Sequence, residues 1–279
     1  MTSSRKRVIE TPLRYIDLYS PEYPENIELY PVKEYLESYF PTVRVAVKPP
    51  ILKRIKEKDL DRTAEAIVRC RVKDPIKEEQ SFEPMFAETE FEKRAATGKA
   101  RLGGVVYDGR KFEELLVSIL SKEFPLERAG LLFTQRLLTT FSRDDLRHHL
   151  RTVVCGFPCL ISIPGVVEAP AKPREFYLLR QQLEARGAGE LELEQLKSSF
   201  SARYVDHDDP RLGEVLKGLA LQAIVFHLTL KPFCDKVKCR LFNAHWQEDL
   251  ISSQIANKSL CREHRALLEG LRESPAITW

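Results

Sequence analysis

The sequence predicts an α+β chain, α/β-like in its first half, with a mixed sheet, packed helices and a helical, cysteine-bearing C-terminal region. Three observations predict it. Short runs such as Val43-Arg44-Val45-Ala46-Val47 alternate with the period of a strand. Longer runs such as Val32, Tyr35, Leu36 and Tyr39 repeat with the period of a helix. The two kinds interleave early, and helical patterns crowd the last third, where three of the six cysteines fall.

The elements follow in order. Residues 8–50 read as strand, helix, strand: Ile27–Tyr30 is short and β-like, Val32–Phe40 is helical, Val43–Val47 is extended. Pro41 and the pair Pro49-Pro50 end the last two. Leu60–Val72 places Leu60, Ala64, Ile67 and Val68 on one helical face. Residues 73–104 are polar and charged and close on Gly103-Gly104, which predicts a long loop or flap. Val105–Tyr107 is a brief strand and Phe112–Leu120 an amphipathic helix. Leu131–Phe133 reads as a buried strand. Ser142-Arg143-Asp144-Asp145 has the form of a capping box before a short helix or turn that carries His148 and His149. Thr152–Val167 is uncharged and strand-rich, and residues 168–175 make a rigid polar connection. A helix with a weak middle at Gly187 and Gly189 spans 176–199. Asp209-Pro210 opens an apolar helix that Pro232 stops. Further helices are expected near 245–256 and 262–272.

The resulting organisation is an N-terminal βαβα part (1–72), a charged loop or flap (73–104), the rest of the core (105–230) and a C-terminal Cys/His helical region (231–279). With 43% hydrophobic and 30% charged residues, the chain has the composition of a globular protein with a real core. Its 44 Lys and Arg against 41 Asp and Glu leave a net charge of +3, which gives no case for nucleic acid or a membrane surface as partner. Ile-Glu-Thr-Pro follows the basic start instead of an apolar stretch, so no secretory signal is expected. No window looks like a run of about 18 apolar residues. The expected compartment is cytoplasmic, where six cysteines in a chain this long do not form a disulfide framework.

The strongest chemical signal is Cys234-x4-Cys239 followed, after a long connection, by Cys261-x2-His264. Two close pairs separated by a long loop is the spacing of a closed tetrahedral site. Three thiolates and an imidazole suit one structural Zn²⁺. His245 is the competing fourth ligand.

The second candidate is His227, alone on the apolar helix before Cys234. A zinc endopeptidase needs histidines at i and i+4 with a glutamate beside the first. The six histidines are 148, 149, 207, 227, 245 and 264. No two are four apart and none precedes glutamate, so that motif is absent.

The frame around His227 nevertheless resembles the archaemetzincins, a branch of the metzincin peptidases with the motif H-E-x-x-H-x-x-G-x-x-H-C-x4-C-x-M and a later cysteine pair. With Cys234 and Cys239 on the motif cysteines, His227 falls on the second zinc histidine. Ala223 then replaces the first histidine, Ile224 the glutamate, Leu230 the glycine, Phe233 the third histidine and Leu241 the methionine. Cys261-x2-His264 stands where the family has its later pair. The resemblance runs weakly from residue 12 to 265, including Thr134–Leu138 after a strand. The block Gly156–Tyr177, with His149–Val154 before it, is similar to a mainly archaeal family of metallopeptidase-like proteins. It implies a metzincin-like sheet domain and a cleft that takes a peptide or protein.

Other features have plainer readings. His227 itself can be a hydrogen-bonded core histidine; as a catalytic ligand it needs help from His148, His149 or Glu168. Asp206-His207-Asp208-Asp209 reads as a solvated turn with a helix cap, or as an oxygen site for a divalent cation. Cys155 and Cys159 read as buried thiols. Glu168 and Glu175 flank Pro170 and Pro173 in a rigid edge that a peptide could join. Lys172, Arg174 and Arg180 form only a small basic patch. The function expected is a zinc-stabilised, metzincin-like binding or regulatory module without conventional peptidase chemistry. Its alternatives are a metallohydrolase rearranged around His227 and a purely structural interaction protein.

Overall fold

The structure, a computed structural model, describes residues 12–23, 27–120, 122, 124–273 and 275. The basic start of the chain lies outside them. The strands are β1 (Tyr15–Tyr19), β2 (Arg44–Lys48), β3 (Val106–Asp108), β4 (Arg128–Thr134), β5 (Leu137–Ser142), β6 (Arg147–Arg151), β7 (Val153–Val154) and β8 (Cys159–Ser162). The helices are α1 (Tyr30–Tyr39), α2 (Glu57–Arg69), α3 (Phe86–Ala96), α4 (Gly109–Leu120), α5 (Ile163–Glu168), α6 (Arg174–Ala185), α7 (Glu190–Phe200), α8 (Leu212–Thr229), α9 (Gln247–Ile251) and α10 (Arg262–Arg272).

The fold is α+β. A five-stranded sheet runs β2-β1-β4-β8-β7, and a smaller one runs β3-β5-β6. In the larger sheet β2, β1, β4 and β8 are parallel and β7 is antiparallel to β8. Both faces are covered, which explains the continuous apolar runs of β4 and β8. Leu131, Phe133, Cys159 and Ile161 pack towards α1 and α8, while Leu132 and Leu160 pack with α2 and α4 on the other side. Side chains from residues 234–271 join the α8 core, including Leu241, Leu250, Leu260 and Leu268.

Helix α8 is the hub. By length and composition it could cross a membrane, yet 72% of it is buried inside the fold. Glu214 and Lys217 interrupt its apolar run near the start, so it does not read as an uninterrupted apolar stretch. The helix begins at Leu212, three residues past Asp209, which caps the turn before it by accepting the Arg211 N–H at 2.8 Å.

The charged stretch 73–104, expected as a loop or flap, carries α3 at its centre. Its carboxylate Glu92 is fully buried. Arg136 Nη1 and Arg71 Nη2 donate to it at 2.7 and 2.6 Å, and the Tyr107 hydroxyl at 2.8 Å. Arg136 is also fully buried and lies 3.3 Å from Glu22, which in turn accepts from Thr134 Oγ1 and the Gln135 N–H. A carboxylate that brings its own partners can be buried where an isolated charge cannot. That network fixes α3 against the ends of β1 and β4.

Three smaller expectations change as well. Residues 27–29 are not a strand; the first strand is Tyr15–Tyr19, whose Tyr19 and Leu18 are buried. Ser142–Asp145 caps no helix but forms the tip of the β5–β6 hairpin, with Leu146 left-handed at φ 53°. The strand-rich block 152–167 ends in α5, and the helix expected over 176–199 is two, α6 and α7, broken at Gly187 with φ 73°.

Candidate metal centre and the central helix

Cys234, Cys239, Cys261 and His264 come together just beyond α8, their four donor atoms all within 4.8 Å of one another. The folding that achieves this is local. The Cys234 N–H donates to Leu241 O, and the Phe242 N–H to Cys239 O, closing residues 234–242 into a tight loop. Cys261 is the N-cap of α10, so His264, at the third helical position, returns to the same side one turn later. The loop is tied down from behind by Arg240, fully buried, which donates to Gln254 O at 2.9 Å and to Glu214 Oε1 at 2.8 Å. Gln254 sits so close to α8 that a Cβ at Gly218 would collide with its side chain.

The distances fit one tetrahedral ion. Bonds of about 2.3 Å to sulfur and 2.0–2.1 Å to nitrogen space the donors roughly 3.6–3.8 Å apart. Cys234 Sγ lies 3.9 Å from Cys261 Sγ, and His264 Nδ1 lies 3.7 Å from Cys239 Sγ and 3.2 Å from Cys261 Sγ. Backbone N–H groups of Lys236 and Cys261 point at the sulfurs of Cys234 and Cys239, both at 3.4 Å, as donors to thiolates do. The protonation pattern tells the same story. Burial opposes ionisation of Cys261, but the His264 N–H and imidazole and the neighbouring thiols outweigh it and bring it down to about 6. Burial and the crowding of the other thiols push Cys234 up to about 12. A divalent cation at the centre of the cluster is what would let all three thiols ionise together.

His245 takes no part. It is exposed, and its carbonyl accepts the Ala171 N–H at 2.8 Å.

His227 stands in a different environment. Its side chain is 4% exposed, and Nε2 donates to the Leu126 carbonyl at 2.9 Å. The Phe157 ring meets it edge-on, with centroids 5.2 Å apart. Burial holds its pKa below the ordinary histidine value, with the Leu126 hydrogen bond acting in the opposite sense. Ala223 and Ile224, at the first-histidine and glutamate positions of the peptidase frame, are completely buried. Leu230, at the glycine position, ends α8 in the left-handed conformation, φ 57°. A catalytic metal needs about three protein donors and an open position, and the described residues around His227 do not fit one.

His148, His149 and Glu168, which would have to join His227 at a metal, have other partners. His148 Nε2 lies 3.1 Å from Lys77 O, and His149 Nε2 lies 2.9 Å from the Asp145 carboxylate. Glu168 pairs with His207 at 3.3 Å. Asp209 is taken by the Arg211 guanidinium at 2.6 Å. Cys155 and Cys159 are free thiols, Cys159 donating to Gly156 O at 3.2 Å. Lys172 lies over the rings of Phe176 and Tyr204, Arg174 lies over Trp246, and Arg180 pairs with Glu184.

One feature had no signature in the sequence. A cavity of about 300 Å³ opens between β7 and the segments that follow α8, lined by Arg110, Arg151, Val153, Cys155, Phe233 and His245 among others. Its residues come from six separated stretches of the chain, so no local spacing could reveal it. Phe233 is the only one that the peptidase frame had singled out, at the third-histidine position.

Residues 13–271 match the profile of a family described as a probable metallopeptidase family (DUF6775). Among solved structures, the chain is similar to the crystal structure of a zinc-dependent peptidase from Methanocorpusculum labreanum. The two are 15% identical over 91% of this chain and 99% of that one, with a TM-score of 0.39. No curated protein matches. Because the family profile spans nearly the whole fold, from the residues before β1 to the end of α10, the chain belongs to this probable metallopeptidase family.

Proposed function

We propose that this chain is an archaemetzincin-like member of its family that keeps the peptidase frame without the catalytic centre. It holds one structural zinc on Cys234, Cys239, Cys261 and His264. The cleft between β7 and the segments that follow α8 binds a peptide or protein segment rather than cleaving it.

The observation that carries the reading is the state of His227. Its Nε2 proton is spent on the Leu126 carbonyl at 2.9 Å, and Ala223 and Ile224 beside it are fully buried. A general base at position 224 would need water and substrate within hydrogen-bond reach. Position 224 is instead part of the core. The Cys/His cluster supports the zinc half of the reading through its donor set, its spacing and its backbone N–H contacts to sulfur. A zinc there supplies a cross-link between the 234–242 loop and the start of α10, with no position left for substrate.

Elemental analysis of the purified chain and of H227A tests it, alongside an assay of metal-dependent cleavage of an unstructured protein such as casein. The expected result is one zinc per chain in both proteins and no cleavage by either. Two zinc ions per chain with one lost in H227A, or cleavage that H227A abolishes, would overturn it.

A further inference from the structure

The cavity beside β7 is electrostatically one-sided. Among the described residues that line it there is no aspartate or glutamate, while Arg110, Arg151 and His245 all border it. Arg151 is half-buried at the join between β6 and β7, and its Nε donates to Thr140 Oγ1 at 2.8 Å. Arg110 Nη1 donates to Cys155 O at 2.6 Å and to Glu113 Oε2 at 3.2 Å. Glu113 is shared, because its Oε1 accepts the Phe157 N–H at 2.9 Å. Burial, and then the nearby charge of Arg110, hold Arg151 below the ordinary guanidinium value; Asp145 pulls the other way. Arginine stays charged regardless. Arg110 and Arg151 both line the cavity and lie close enough to oppose each other's charge, Glu113 pairs with Arg110 alone of the two, and an anion placed between the guanidinium groups removes that repulsion.

The shape of the cavity narrows the anion. One wall is Val153–Cys155, the final strand of the large sheet and the residue after it. Another is the Phe233 ring, 38% exposed. A strand and a phenyl ring suit an extended polypeptide, and offer little to a hydrated inorganic ion. The volume of about 300 Å³ accommodates one side chain with its adjoining backbone.

We infer that this cavity binds the carboxylate of an acidic peptide, laid beside β7 and held between Arg110 and Arg151. This deepens the binding reading of the cleft and rests on it. The guanidinium groups supply charge-assisted hydrogen bonds to the carboxylate oxygens, and the peptide backbone runs past Phe233.

Fluorescence anisotropy on the full chain tests the inference, using three labelled hexapeptides that differ only in one central residue: Glu, Gln or Lys. The Glu peptide should bind about tenfold more tightly than the Gln peptide, as expected for charge-assisted hydrogen bonds. R151Q, and separately R110Q, should bring the Glu peptide to the Gln level, whereas R180Q on α6 should change nothing. Melting curves identify any variant that fails to fold, and the remaining arginine variant then decides. Inorganic phosphate should displace the Glu peptide only at millimolar concentration. Equal binding of the Glu and Gln peptides would overturn the acidic preference and leave the cleft reading intact. Failure of all three peptides to bind would overturn both. Displacement by micromolar phosphate would mark a free-anion site and overturn the peptide assignment.

Discussion

Two residues seven positions apart, His227 on α8 and Cys234 just past it, carry side chains that bind metals, and the fold treats them in opposite ways. Around Cys234 the chain doubles back twice and brings three further donors from a tight loop and a helix start. Backbone N–H groups are aimed at two of the sulfurs. Around His227 the chain is regular helix, its neighbours at 223 and 224 are sealed in the core, and the ring is spent on a carbonyl from the loop before β4. The lesson is about company. A ligand residue becomes a metal site only when the surrounding backbone delivers other donors at bonding distance and leaves the donor atom free.

The largest effect that separates the two regions should come from C239S. Losing one of four ligands releases the ion, and closed zinc sites contribute folding energy directly. Zinc content should fall to near zero. Stability should drop by at least about 3 kcal/mol, or roughly 10 °C in melting temperature. Normal metal content and melting would place the chemistry somewhere other than this cluster.

H227A should act as a core mutation. It leaves a cavity and an unpaired Leu126 carbonyl, costing about 2 kcal/mol, with zinc content unchanged. Loss of metal in H227A would erase the distinction between the two regions.

L230G should raise stability by roughly 0.5 kcal/mol, the relief of left-handed strain less the lost apolar cover. Leu230 ends α8 at φ 57°, a left-handed conformation that glycine adopts without steric cost. A destabilised L230G would mean that the leucine contributes more by packing than it costs by its backbone.

The smallest effect is one of pH. His227 has a folded-state pKa below its ordinary value of about 6.5. The unfolded chain therefore takes up a proton first as pH falls. The stability that neutral His227 contributes is complete above about 6.5 and declines as pH drops through that value towards the folded pKa. Chemical denaturation of wild type and H227F between pH 5 and 7.5 should show this increment in wild type only. Parallel curves would contradict it.

Much of the fold was legible because apolar periodicity is a local property. The helices at 30–39, 57–69, 109–120 and 212–229 and the strand at 44–48 all follow from it. The charged stretch 73–104 was not legible, because a row of glutamates reads as a solvated face. What turns Glu92 inward is Arg71, Arg136 and Tyr107, which arrive from other elements. Arg110 and Arg151 escaped for the same reason: they line one cavity from positions 41 residues apart, and neither sits in a motif.

The sequence by itself determined the α+β class, the apolar central helix and the four candidate zinc ligands, because helix period and close ligand pairs are short-range patterns. It also determined that no two histidines share one turn of α8. Only the tertiary structure decided that His227 is bonded to Leu126, that Glu92 is buried with its own counterions, and that two arginines face one cavity. Those outcomes depend on which distant segments meet, and burial and pairing are settled only when they do.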